Sequence, residues 1–204
     1  MSLIFYTNPQ SRGQIVRWML EEIGQPYEAK IVDYAVMGGE DYRRINPMMK
    51  VPALVHNGKT ITECAAICAY LADAFPEAGL APSEEEKADY YRWLFFAAGP
   101  IEQAVTVRAM GWEVPDDRQG TVGFGSFART IDTLAAHFDG HDFVCGDRFT
   151  AADIYVGSQV LWGLMFKTIP ERDSLVAYAA RLGAREAYQR AKAIDMKLIE
   201  AAAG

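Results

Sequence analysis

The stretch Lys50-Val51-Pro52-Ala53-Leu54, followed by Thr60-Ile61-Thr62-Glu63-Cys64-Ala65-Ala66-Ile67, decides the reading of this chain of 204 residues. Proline cannot donate to a sheet ladder and fixes its own φ, so Val-Pro before an apolar run marks a bend at a strand entrance. X-Pro is also the dipeptide in which a cis bond costs least. A cis bond at Pro52 would turn the N–H and C=O of Val51 outward, free to pair with an extended ligand. Farther on, a β-branched run ends at Thr62, and Cys64-Ala65-Ala66-Ile67-Cys68-Ala69-Tyr70-Leu71 has helical spacing. Glu63 therefore stands where a strand meets a helix N-terminus. Free N–H groups there can hold a carboxylate while Glu63 takes an ammonium. One short segment offers a backbone edge and a pocket for a zwitterion.

Working outward, residues 3–6 (Leu-Ile-Phe-Tyr) read as a short strand, and residues 15–24 repeat apolar side chains at helical spacing until Gly24-Gln25-Pro26 stops them. Residues 28–33 alternate as a strand, residues 41–45 read as a short polar helix, and Asn57-Gly58 joins residues 53–56 to 59–62 as a type I′ hairpin. The order is β-α-β-α-β-β-α. Phe75-Pro76-Glu77-Ala78-Gly79-Leu80-Ala81-Pro82 then breaks the pattern, and Ser83-Glu84-Glu85-Glu86 begins a helix with an N-cap and an acidic first turn. The expected domains are residues 1–76 and 84–204, joined by a linker at 77–83. In the second, helical periodicity covers residues 84–110, with a kink expected at Gly99-Pro100, and returns at 127–138, 151–164, 174–182 and 186–199.

With the loop Tyr6-Thr7-Asn8-Pro9-Gln10-Ser11-Arg12-Gly13 before the first helix and the segment Gly146-Asp147-Arg148-Phe149-Thr150-Ala151-Ala152-Asp153-Ile154, these pieces resemble a cytosolic glutathione transferase of bacterial type. The resemblance covers nearly the whole chain. It implies an α/β thioredoxin-like N-terminal domain, an all-α C-terminal domain and a homodimer. It also implies glutathione as co-substrate, a hydrophobic electrophile as second substrate, and neither a further cofactor nor a metal.

The resemblance assigns glutathione to Val51, Pro52, Glu63 and Cys64, with Lys50 and Arg43 as partners for its glycine carboxylate. It gives Ser11 the thiolate. Ser11-Arg12-Gly13-Gln14 is also an S-x-x-Q capping box, so a structural role competes with the chemical one. Tyr6, Asn8 and Gln10 are rival sulfur donors. The sequence departs from the family at Cys64, where most members carry serine or threonine. A thiol is a weak donor, so the Cys64 N–H must do most of the work of holding the carboxylate. Cys64 reads as a small buried residue or as a thiol activated by the helix N-terminus.

Several readings are excluded. A net charge of −7 argues against nucleic acid and anionic membranes, which need basic surface. Three cysteines without framework spacing, no signal-like N-terminus and no long apolar run fit a cytoplasmic protein. Cys64 and Cys68 lack the third ligand of a zinc site, and His137 and His141 flank Gly140 at what reads as a solvated helix end. Thr150 and Asp153 form a capping box with a folding role. For the electrophile, Gln103, Val107, Met110 and Trp112 are the candidates, in an aromatic stripe with Tyr90, Trp93, Phe96, Trp162 and Phe166 that serves equally as core or dimer contact. Conjugation, peroxide reduction, glutathione-dependent isomerisation and non-catalytic binding of glutathione or apolar ligands remain open.

Overall fold

Alternation in Leu3-Ile4-Phe5-Tyr6-Thr7 buries Leu3, Phe5 and Thr7 on one face of β1 (Leu3–Thr7) in the computed structural model, which describes residues 2–203. β1 lies inside a four-stranded sheet of order β2-β1-β3-β4, parallel to β2 (Glu28–Ile31) and antiparallel to β3 (Ala53–His56), which pairs in turn with β4 (Lys59–Thr62). The register sets Tyr6 opposite Ala53 and Ala53 opposite Thr62. Helix α1 (Gly13–Ile23) ends at Gly24, whose φ of 66° is the left-handed cap that glycine adopts without strain. The remaining helices of this half are α2 (Glu40–Ile45) and α3 (Cys64–Ala74). Tyr42 of α2 packs with Val32 and Met37, and Tyr6, Ile45, Met49 and Val51 pack against them.

The internal contacts group Met1–Leu80 with Ala184–Gly204 in one unit and Ala81–Gly183 in another. Periodicity alone attaches residues 184–204 to the helical half. Residues 184–203 instead group with the sheet-bearing unit, where α9 (Glu186–Ala203) packs along α1. The reason is chemical complementarity: Arg17 meets Asp195, Arg185 grips Glu22 through two hydrogen bonds of 2.7 and 2.8 Å, and Trp18 meets the ring of Tyr188 edge-on.

The second unit is helical: α4 (Lys87–Phe96), α5 (Glu102–Ala109), α6 (Phe127–Phe138), α7 (Ala151–Met165) and α8 (Asp173–Gly183). Ser83 and Glu86 cap the entrance to α4 reciprocally. At Gly99-Pro100, where the sequence predicts a kink, a π-helical turn over Ala97–Ile101 separates α4 from α5, since Pro100 has no N–H and its ring crowds the preceding turn. His137 is not at a solvated end: it is half-buried, its ring on Trp93 and stacked with His141, its Nε2 3.0 Å from the Val144 carbonyl.

Helix α7 is the core of this unit, and its capping box forms as expected. The carboxylate of Asp153 accepts from the N–H of Val144 (2.7 Å) and of Thr150 (2.8 Å), from the Tyr178 hydroxyl (2.9 Å) and from the Thr150 hydroxyl (3.2 Å). Burial nevertheless outweighs these bonds and pushes its carboxyl up to about 6. A folded-state pKa above the unfolded value of about 3.9 means that this group's contribution is complete below about pH 4 and is lost as pH rises through about 6. The stability advantage of the native protein over Asp153→Asn is therefore expected to shrink by on the order of 2 kcal/mol between pH 4 and 7, measured by urea unfolding. An advantage that grows with pH would contradict it.

Candidate functional site

The register alone brings three chain segments to one end of the sheet. Thr7 ends β1, Pro52 precedes β3 beside it, and Glu63 follows β4 one residue beyond Thr62. The Val51–Pro52 bond is cis. The carbonyl of Lys50 is held from α2 and its exit by the Tyr42 hydroxyl and the Asn46 amide, each at 2.7 Å, and the Val51 side chain packs on the Tyr42 cluster. Val51 is thereby fixed on both sides, and its own N–H and C=O make no hydrogen bond with the described residues. Burial, with the nearby Tyr6, pushes the Tyr42 hydroxyl up to about 12, so it remains a donor at any ordinary pH. Tyr42 and Asn46 went unnoticed in the sequence; the Asn46-Pro47 turn was the available signal.

Glu63 takes a φ of 66°, outside the usual range for a residue with a side chain, and stands at the N-cap position just before α3. Its exposed carboxylate has no ion-pair partner among the described residues. Cys64 is buried, and its thiol lies 3.6 Å from the carbonyl of Arg12, a contact spanning 52 positions that sets the α3 N-terminus against the turn preceding α1.

That turn holds Ser11. Its hydroxyl donates to the Asn8 carbonyl at 2.6 Å and accepts from the Gly13 N–H at 2.9 Å. The capping box forms only by half: Gln14 reaches the Pro9 carbonyl instead, and the Ser11 N–H goes to Asn8. Asn8 is buried, donating one amide N–H to the Val32 carbonyl and accepting from the Gln10 N–H, bonds that hold its loop in place. Tyr6 lies within β1 as its sequence position implied. Ser11, Val51, Glu63 and Cys64 thus gather at one sheet end. Lys50 and Arg43 are exposed, with no hydrogen bond or ion pair from either side chain to the described residues, whereas Arg44 is taken up by Glu40 and Asp41.

Of the electrophile candidates, Val107 and Trp112 line a cavity of about 450 Å³ with Arg108, Phe124 and Phe127, wholly within the second unit. Gln103 and Met110 are not part of its wall. Trp112 is 65% exposed and Met110 62%. Tyr90 and Trp93 are core, which removes them from the aromatic stripe.

The tightest approach in the site is at Gly13, where a Cβ would stand 2.0 Å from Thr7 Oγ1 and 3.1 Å from Ser11 Oγ. Gly13→Ala is expected to destabilise the protein by about 1–3 kcal/mol, the range for overpacking, although alanine is the better helix former. Denaturant unfolding checks this; a stabilised variant would mean that Thr7 can turn away.

The chain matches two family descriptions, "Glutathione S-transferase, N-terminal domain" over residues 11–74 and "Glutathione S-transferase, C-terminal domain" over residues 102–165. Glutathione S-transferase GST-4.5 of Xanthomonas campestris pv. campestris is 30% identical over 164 residues, covering 77% of this chain and 80% of that protein. A probable maleylacetoacetate isomerase 2 of Drosophila melanogaster is 30% identical over 152 residues, 69% of this chain and 64% of that protein. A sphingomonad glutathione S-transferase, solved in complex with glutathione, superposes with a TM-score of 0.76 at 28% identity over 94% of this chain and 98% of that one. With one matched segment carrying Ser11, Val51 and Glu63 and the other lying in the helical unit, the chain belongs to the glutathione S-transferase family, and it is a transferase.

Proposed function

We propose that the protein binds glutathione at the sheet end described above and transfers its thiolate to a hydrophobic electrophile, acting as a cytoplasmic homodimer. Among the described residues no helix is long and apolar enough to cross a membrane. The Val51 backbone pairs with the cysteinyl portion, Glu63 takes the γ-glutamyl ammonium, the α3 N-terminus at Cys64 takes its carboxylate, and Lys50 and Arg43 meet the glycine carboxylate. The observation that carries the reading is the setting of the Ser11 hydroxyl, held at a helix start with one acceptor and one donor.

That setting makes capping and catalysis compatible. Rotation of the hydroxyl proton about Cβ–Oγ redirects it from the Asn8 carbonyl to a sulfur without moving Oγ. The Gly13 N–H bond persists, and Asn8 keeps the Ser11 N–H at 3.1 Å. The magnitudes limit the effect. A hydrogen bond to a charged group contributes about 1.5–3 kcal/mol, the neutral bond given up about 0.5–1.5, and a helix N-terminus about 0.3–1. The net is roughly 2 kcal/mol, about one and a half units below the reference thiol value of about 8.5.

A transferase of this kind and a glutathione-dependent isomerase need the same thiolate, and the Drosophila relative keeps the second reading in view. Assays with an aryl halide, a hydroperoxide and maleylacetoacetate separate conjugation, peroxide reduction and isomerisation. Bound glutathione without turnover in all three would leave a binding protein.

Ser11→Ala should raise the apparent pKa of bound glutathione by about one to two units, and Ser11→Asp should be worse because it sets a carboxylate beside the sulfur. The pH profile of kcat/KM decides; an unshifted profile in Ser11→Ala passes the role to Gln10 or a backbone N–H of α1.

Glu63→Ala should weaken glutathione binding by about 1.5–3 kcal/mol in titration calorimetry, the worth of a charge-assisted contact. Cys64→Ser should bind as well or better, since a hydroxyl donates more strongly than a thiol. Much weaker binding by Cys64→Ser would show that the thiol has a role of its own.

A further inference from the structure

Arg17 and Asp195 are 1% and 2% exposed, a charged pair sealed inside the sheet-bearing unit between α1 and α9. Arg17 Nε donates to Asp195 Oδ1 at 2.7 Å and Nη1 to the Tyr27 hydroxyl at 3.0 Å, while the guanidinium lies 5.2 Å from the centre of the Phe5 ring. Arg17 Nη2 and Asp195 Oδ2 have no hydrogen-bond partner among the described residues. A buried pair joined by a single hydrogen bond, with a donor and an acceptor unmet, is a poor stabiliser. Apolar side chains of similar size commonly do as well or better in such places. Its worth lies in direction: one planar cation meets β1 through Phe5, the start of β2 through Tyr27 and α9 through Asp195.

The seam between α1 and β1 connects this pair to the site. Gly13 and Arg17 are four positions apart and share a face of α1, and Phe5 and Thr7 are two apart and share a face of β1. The same two elements therefore meet at two successive rungs, Arg17 on Phe5 and Gly13 on Thr7. The second rung carries the Ser11 turn, with its bonds of 2.6 and 2.9 Å.

We propose that Asp195 is a positioning residue of the glutathione site: through Arg17 it fixes the register of α1 against β1, and with it the group that faces the sulfur at the α1 N-terminus. The inference rests on the glutathione-transferase reading above. A merely structural pair would change stability and leave the sulfur's titration alone, so the readout is the apparent pKa of enzyme-bound glutathione, followed by its ultraviolet thiolate absorbance and by the pH profile of kcat/KM. Two variants are compared with Ser11→Ala: Asp195→Asn, which removes the charge and so weakens the bond from Arg17 Nε, and the double replacement Arg17→Met with Asp195→Leu, which removes that bond and keeps the volume.

Both are expected to raise that pKa by about half a unit to one unit, lowering kcat/KM on the acid side about threefold to tenfold, while the double variant keeps the native thermal midpoint. Folded variants with a native profile would overturn the inference, whatever their stability. A double variant that fails to fold would overturn it too, because the pair would then be a stability element. If Asp195→Asn shifts the profile and Ser11→Ala does not, the inference stands and the assignment of Ser11 falls.

Discussion

The register that sets Tyr6 opposite Ala53 and Ala53 opposite Thr62 is the constraint on which the rest of this structure depends. Strand side chains alternate with period two. A slip of one residue would therefore expose Leu3, Phe5 and Thr7 and separate the loop after β1 from the turn before β3 and the junction after β4. Apart from Arg43, which lies on α2, every residue assigned to glutathione hangs on one of those three ends. Local devices then refine what the register brings together: two hydrogen bonds on the Lys50 carbonyl, the Asn8 amide tying its loop to Val32, and a thiol against the Arg12 carbonyl. None of these bonds involves an ion pair. Buried groups bonded through neutral donors and acceptors hold position without the desolvation penalty of charge.

The two buried aspartates, Asp153 and Asp195, are handled in opposite ways. Asp153 is saturated by four donors, none of them cationic, and serves the start of one helix. Asp195 is partnered by a cation but only half satisfied, and it joins elements far apart in the chain. The first arrangement belongs to a fixed core. The second trades hydrogen bonding for orientation, as expected where direction matters more than strength.

Much of this was legible in the sequence because the signals are local. Proline before a strand, glutamate at a helix entrance, Asn-Gly in a hairpin and Thr-x-x-Asp before an apolar run each carry their mechanism within four residues. What escaped was whatever depends on a distant partner. Tyr42 reaches the Lys50 carbonyl from eight positions away, where the Asn46-Pro47 turn signals a bend but not its partners, and nothing near Arg17 points to Asp195, because a buried arginine in a helical stripe reads as a solvated one. The aromatic stripe divides for a related reason: Tyr90 and Trp93 turn inward, as its core reading has it, while Met110 and Trp112 turn outward, and the π turn at Pro100 shifts the phase between them. Ser11 lies between these cases. Its capping role was visible, but Gln14 chose the Pro9 carbonyl, a choice set by the loop's three-dimensional path.

The grouping of residues 184–203 with the sheet also bears on how the chain is made. Arg17 waits for a partner 178 positions later, and at about 5–20 residues per second that gap lasts on the order of ten to forty seconds of synthesis. During that interval the α1 face that will be buried remains wet, with Arg17, Trp18 and Glu22 lacking the groups that cover them. The helical unit encoded in between can complete its own core first. The amino-terminal sheet, although translated earliest, therefore reaches its final packing last, once α9 has been made and covers α1.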